Sequence, residues 1–296
     1  MAKRHLGQVF LYDPSILRRI IQTAQLSTED LVVEIGPGWG RLTKMLAEKV
    51  RNVIAIELDE RLFEELKVQL ADYNNVELIC GDALKYPYEN LPEFKVVANI
   101  PYYITTPLIF KLIETKQRYQ IERGTEMIPP HTPLAKVGRE GSQGRSNLKS
   151  MTLTIQKEVA ERITASPGGK DYGVLSVMVQ YYAEPELKFI IARGAFRPVP
   201  KVYSAVVHFK ILERPPVKVK DRQFFFRVVK TAFSQRRKML SNALRSLGED
   251  IKDKLAEAGI DSNRRAETLS IEEFARLSDI LKGNNPNNAD IVQKFI

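Results

Sequence analysis

Cysteine is nearly absent from this chain of 296 residues. The single one, Cys80, excludes an internal disulfide framework and any metal site built from several cysteines. Histidine is almost as scarce. His5, His131 and His208 stand far apart, and none has a partner at metal-ligand spacing. No metal is therefore expected. His208 lies in an alternating pattern and is expected in a sheet, not at a catalytic centre. No apolar run approaches the roughly 18 residues that a membrane span needs. Met1-Ala2-Lys3-Arg4-His5 is not followed by the apolar segment of a secretory leader. A cytoplasmic protein is expected. What the chain has in excess is positive charge: the net value is +9 and the pI about 9.4, which favours a polyanionic partner. Its length allows one large domain and a small one.

The stretch Val32-Val33-Glu34-Ile35-Gly36-Pro37-Gly38-Trp39-Gly40 is an apolar run, an acid and three alternate glycines. Leu42, Met45, Leu46 and Val50 then recur at helical spacing. The glycines therefore join a buried strand to a helix N-terminus, where backbone N–H groups are unpaired and a ligand can approach closely. A dinucleotide loop would place its third glycine at residue 41, which is Arg41. The acid-x-G-x-G-x-G order instead resembles the S-adenosylmethionine (SAM) loop of class I methyltransferases. Such a loop has a second acid at the end of the next strand, for the ribose hydroxyls. Val53-Ile54-Ala55-Ile56-Glu57 supplies it.

Further strands are expected at about 76–80, ending in Gly81-Asp82-Ala83, and at about 94–98, ending in Asn99-Ile100-Pro101-Tyr102. Helices are expected at about 60–72 and from Pro107 to about Glu114, and Asp13-Pro14 reads as a helix start. Strands alternating with helices predict an α/β fold with a parallel, doubly wound sheet and a ligand at the carboxyl ends of its strands. Glu34, Gly36, Glu57, Asp82 and Asn99 all fall there. Residues 117–150, with scattered glycine, proline and charge, read as an inserted flexible loop, either a solvated insertion or a nucleic-acid contact. Strands at about 150–156, 187–192 and 205–211 follow, with a helical stretch from Tyr172 to Tyr182. Pro215-Pro216 marks a boundary. The expected domains are 1–214, catalytic, and 215–282, all helical, with a disordered tail from 283. Between Lys218 and Arg245 there are nine basic residues and one acid, sharpest at Arg236-Arg237-Lys238. That run is either a solvated helix face or a phosphate-backbone contact.

The strand end at Asn99 has its own chemistry. The exocyclic amine of adenine is a poor nucleophile because its lone pair is delocalised. Two acceptors on its N–H groups, the Asn99 side-chain oxygen and the Ile100 carbonyl, would localise that pair. Pro101 keeps Ile100 extended, and Tyr102 offers a face on which a base stacks. The base must be unpaired or flipped out to reach it. No histidine or cysteine base is needed. The other reading of these four residues is an ordinary strand end and turn.

Asn99-Ile100-Pro101-Tyr102 also matches the N-[IL]-P-[FYW] motif of adenine amino-methyltransferases. Gly7-Gln8-Val9-Phe10-Leu11 resembles the G-Q-N-F-L segment of the ribosomal RNA adenine dimethyltransferases. Segments 156–162, 172–177, 196–204 and 233–238 are similar to the KsgA/RsmA branch of that family. The resemblance implies a class I, Rossmann-like seven-stranded sheet with a small all-α domain. It implies SAM-dependent conversion of two adjacent adenosines in the 3′-terminal hairpin of small-subunit rRNA to N6,N6-dimethyladenosine, and a role in subunit maturation. SAM would be held by Val9, Leu11, Glu34, Gly36, Gly38, Glu57, Asp82, Ala83 and Asn99. Asp82 would meet its adenine amine and Glu57 its ribose. Asn99, Ile100, Pro101 and Tyr102 would hold the target adenine, with Phe196 closing its other face. Arg236, Arg237 and Lys238 would dock the rRNA, and a monomer is expected. Val9 departs from the asparagine usual in the family, which removes one polar side chain beside the cofactor. Alternatives are an Erm-type enzyme acting on large-subunit rRNA, a DNA adenine methyltransferase, and a non-catalytic assembly or transcription factor of the same fold.

Overall fold

The computed structural model describes residues 9–121 and 147–283. Most of the expected insertion and the tail after Gly283 lie outside them.

The described chain opens with β1 (Phe10–Leu11) and α1 (Pro14–Thr23). Asp13 caps α1, its carboxylate accepting the Ser15 N–H at 2.8 Å. Then come β2 (Leu31–Ile35), α2 (Arg41–Ala47), β3 (Asn52–Glu57), α3 (Glu60–Gln69), β4 (Val76–Cys80), β5 (Phe94–Asn99) and α4 (Thr105–Ile121). The helix α4 runs past its expected end at Glu114, into the segment read as insertion. After residue 147 follow β6 (Leu148–Gln156), α5 (Lys157–Thr164), α6 (Val174–Gln180), β7 (Ala183–Ile191), β8 (Phe196–Arg197) and β9 (Ser204–Ile211). The rest is helical: α7 (Arg222–Ser234), α8 (Leu240–Ala243), α9 (Ile251–Glu257) and α10 (Ile271–Gly283).

Seven strands form one sheet in the order β4-β3-β2-β5-β6-β9-β7. The first five are parallel. Their central members read as unbroken apolar runs because both faces are covered; Val33, Val53, Val96 and Val97 are fully buried. The sequence predicts a parallel sheet, and the structure departs from that at β9, which runs antiparallel to β6. It follows β7 through residues 192–203, which hold no crossover α-helix, and a short return suits an antiparallel strand. The strand order reverses between β2 and β5, so their carboxyl ends flank the switch point where such sheets bind ligands.

The chain divides into two compact units, 1–160 with 184–213, and 161–183 with 214–296. The first holds the sheet. In the second, Tyr181 lies 5.2 Å from Phe225 and Tyr172 meets Phe233 edge-on at 6.0 Å. These contacts place 161–183 with the C-terminal helices, whereas the sequence assigned that segment to the first domain.

Candidate active site

The three glycines after β2 all have positive φ: 68° at Gly36, 59° at Gly38 and 70° at Gly40. At Gly38 a Cβ would also stand 2.7 Å from the Phe10 ring. The loop therefore requires glycine for its backbone and for its close approach to β1. The Pro101 ring lies 3.5 Å from the place of a Gly36 Cβ, so this loop and the one after β5 are neighbours.

Two buried acids stand behind the loop. The Glu57 Oε2 accepts the Gly38 N–H at 3.2 Å and its Oε1 accepts the Asp59 N–H at 2.9 Å. Burial raises its carboxyl above the ordinary value, and those two N–H groups oppose the rise. Glu34 is 2% exposed, and its Oε2 has no partner among the described residues. Burial pushes its carboxyl up to about 8. Folded Glu34 thus holds a proton at neutral pH that unfolded Glu34 has lost. Its contribution to stability is complete below the unfolded value of 4.5 and fades as pH rises through about 8. The melting temperature is expected to fall between about pH 5 and pH 9, and Glu34→Gln to flatten that fall. Parallel pH profiles of the two proteins would remove Glu34 as the cause.

At the end of β5, Asn99 Nδ2 donates to the Val9 carbonyl at 3.1 Å. The Val9 backbone thus meets Asn99, a contact that does not depend on the Val9 side chain. This leaves Asn99 Oδ1 buried, with no partner among the described residues. The Ile100 N–H is tied to the Thr154 carbonyl at 3.2 Å, which fixes the strand end. Tyr102 is half-buried, its hydroxyl paired with Ser204 Oγ at 2.6 Å. Asp82 lies just beyond β4, its Oδ1 accepting the Leu84 N–H at 2.9 Å, with Ala83 buried between them.

A small recess, partly open to solvent, is lined by Leu11, Glu34, Gly36 and Asn99 together. Phe10, Trp39 and Arg41 complete its wall. Glu34 and Asn99, the residues that carry these two unpartnered oxygens, both belong to this lining. Phe10, Trp39 and Arg41 had no expected role at the site. Nor was any given to Tyr103, which is 54% exposed and whose phenol is raised by partial burial and by the charges of Asp82 and Glu57. Aromatic residues directly beside the two motifs were the available signal. Phe196 is not presented to this edge. Its ring is fully buried in the core cluster with Leu11 and Leu17, because β8 pairs with β1 and places Phe196 opposite Leu11. His208 is a sheet residue, bonded through Nδ1 to Thr152 Oγ1 at 2.9 Å, and burial lowers its pKa. Among the described residues no group of acids, histidines and cysteines is arranged to hold a metal, and no helix is long and apolar enough to cross a membrane.

This sheet order, glycine loop and ring of strand-end acids define a class I methyltransferase fold. The family model for ribosomal RNA adenine dimethylase matches residues 1–283, and the chain belongs to that family of SAM-dependent methyltransferases. A relative from Clostridium acetobutylicum, ribosomal RNA small subunit methyltransferase A, is 43% identical over 93% of this chain and 92% of its own. The protein of the same name from Moorella thermoacetica is 43% identical over 95% and 92%. Among solved structures, a dimethyladenosine transferase from Plasmodium falciparum superposes with a TM-score of 0.69 at 28% identity, covering 90% of this chain and 95% of that one. The 23S rRNA methyltransferase ErmE gives 0.66 at 27% identity, covering 92% and 99%.

Proposed function

We propose that this chain dimethylates the N6 amines of two adjacent adenosines in the 3′-terminal hairpin of small-subunit rRNA, and so takes part in subunit maturation. The observation that carries the chemistry is the buried, unpartnered Oδ1 of Asn99, a residue of the recess lining. A buried acceptor without a donor is costly and calls for one from a ligand. The recess suits the methionine end of SAM. Glu57 and Asp82, with Ala83, suit its ribose and adenine. Bound there, SAM supplies an activated methyl group. The rest is positioning by the protein. In the first transfer Asn99 Oδ1 would accept one N6 hydrogen of the target adenine and the Ile100 carbonyl the other; in the second a single N–H remains for one of them, and each transfer releases the demethylated thioether and a proton to solvent. Tyr102, pinned by Ser204, stacks on the base. Because Phe196 is enclosed in the core, the half-exposed ring of Tyr103 is the better candidate for a second aromatic at this edge.

The partner in this reading is the small-subunit rRNA or the immature subunit, met by a cytoplasmic monomer. The helical unit docks the RNA. Within its basic cluster the roles divide. Arg236 Nη2 donates to the Lys170 and Tyr172 carbonyls at 2.8 and 3.0 Å, so it ties 161–183 to the C-terminal helices. Arg237 and Lys238 are exposed and carry the phosphate contact. Replacing both with glutamine should reduce the slope of log affinity against log salt by about 1.4 to 1.8, at 0.7 to 0.9 per phosphate. An unchanged slope would make them a solvated face.

Labelled SAM offered in parallel to unmethylated small subunits, large subunits and duplex DNA tests the whole reading. Dimethyladenosine at adjacent adenines of the small subunit is expected. The likeness to ErmE keeps a large-subunit target as the second reading, and label there would establish it. RNA binding with no label at all would mean a factor that has kept the fold and lost the reaction.

A further inference from the structure

The loop after β8 carries a surface that the steps above leave unused. Val199, Val202 and Tyr203 are 57%, 41% and 49% exposed. Single exposed apolar residues are ordinary, but three within five positions mark a contact surface. The loop and its flanks carry charge of one sign: from Ala192 to Ser204 there are three basic residues, Arg193, Arg197 and Lys201, and no acid. The Arg193 guanidinium lies 5.6 Å from the centroid of the Tyr203 ring, and its Nη1 donates to the Lys201 carbonyl at 3.5 Å. The ring is thus held beside a cation on a braced loop. The Lys201 side chain is exposed, with no partner among the described residues.

This loop is fastened to the target edge. Tyr203 precedes Ser204, whose hydroxyl holds Tyr102. The Tyr203 carbonyl accepts the Lys157 N–H at 2.9 Å. At its other end the Ala195 carbonyl accepts the Tyr12 N–H at 2.9 Å, next to the strand that walls the recess. A base drawn out of its stack to reach Asn99 leaves its neighbour with a bare face. An aromatic ring restores that lost stacking without regard to sequence, and a cation meets the phosphate.

We propose that Tyr203 stacks the nucleobase adjoining the target adenine while Lys201 takes the phosphate beside it. This rests on the RNA-methylating function proposed above. The cations and the absence of acids favour RNA over a protein partner.

The test uses the full chain with Tyr203→Ala and Tyr203→Phe. KM and kcat are measured on unmethylated small subunits. Quenching is measured on hairpin RNAs that carry 2-aminopurine on the 5′ or the 3′ side of the target adenine. Tyr203→Ala should raise KM about tenfold, abolish quenching on one side and leave the SAM dissociation constant unchanged. Tyr203→Phe should behave as the unaltered protein. Unchanged KM and quenching in Tyr203→Ala, with normal methylation by the parent chain, would overturn the stacking role alone. A raised KM with quenching intact would make the loop a contact for ribosomal protein and also overturn it. A parent chain that methylates no RNA would remove both proposals.

Discussion

Asn99→Ala should turn over about a hundred- to a thousandfold more slowly while binding SAM nearly as well, on the scale of removing one preorganised polar group from a reacting centre. The geometry separates these two effects. Asn99 Nδ2 is spent on the Val9 carbonyl at 3.1 Å, which aims Oδ1 and leaves it free for the incoming amine. Alanine removes an acceptor that is needed as the adenine nitrogen becomes a nucleophile. It also frees the Val9 carbonyl, so a modest loss of cofactor affinity is expected through β1. Single-turnover rates at saturating SAM and RNA, beside a direct SAM titration, measure both. Normal turnover would remove Asn99 from the chemistry. A loss confined to SAM affinity would make it a cofactor ligand only.

Glu57→Ala should weaken SAM binding about a hundredfold, from two charge-assisted bonds to a diol at about 1.5 kcal/mol or more each. Both carboxylate oxygens are already held by N–H groups, of Gly38 at 3.2 Å and Asp59 at 2.9 Å. Each oxygen keeps a further lone pair for a ribose hydroxyl. The same side chain organises the glycine loop and, in the proposed function, would also meet the ligand. Glu57→Gln separates the two duties. Its carbonyl can still accept from Gly38, but its amide nitrogen opposes the Asp59 N–H. An intermediate loss is expected in calorimetry. A dissociation constant unmoved by either change would take Glu57 out of the site.

The cofactor side of this site was legible in the sequence for a physical reason. A parallel sheet delivers its ligand contacts at strand ends, and strand ends are where apolar runs stop. Glu34, Glu57 and Asn99 were found in that way. What failed to read was orientation. Phe196 belongs to a motif-like segment, yet a strand of two residues places its ring beneath the surface, and no periodicity can be measured over two residues. Tyr103 and Trp39 stood beside the motifs but carried no pattern of their own. Residues 161–183 were assigned by their place in the chain. Tyr172 and Tyr181 find their partners on α7, about fifty residues on, and no local signal announces such a pairing.

The pairing of β1 with β8 orders events during synthesis. Phe10 and Leu11 wall the recess, but their strand partner is Phe196 and Arg197. The glycine loop and both acids are made early, within the first sixty residues. The wall that closes over them must wait until about two-thirds of the chain exists. A nascent or truncated chain ending before Phe196 carries every residue assigned here to the cofactor and still lacks the enclosure.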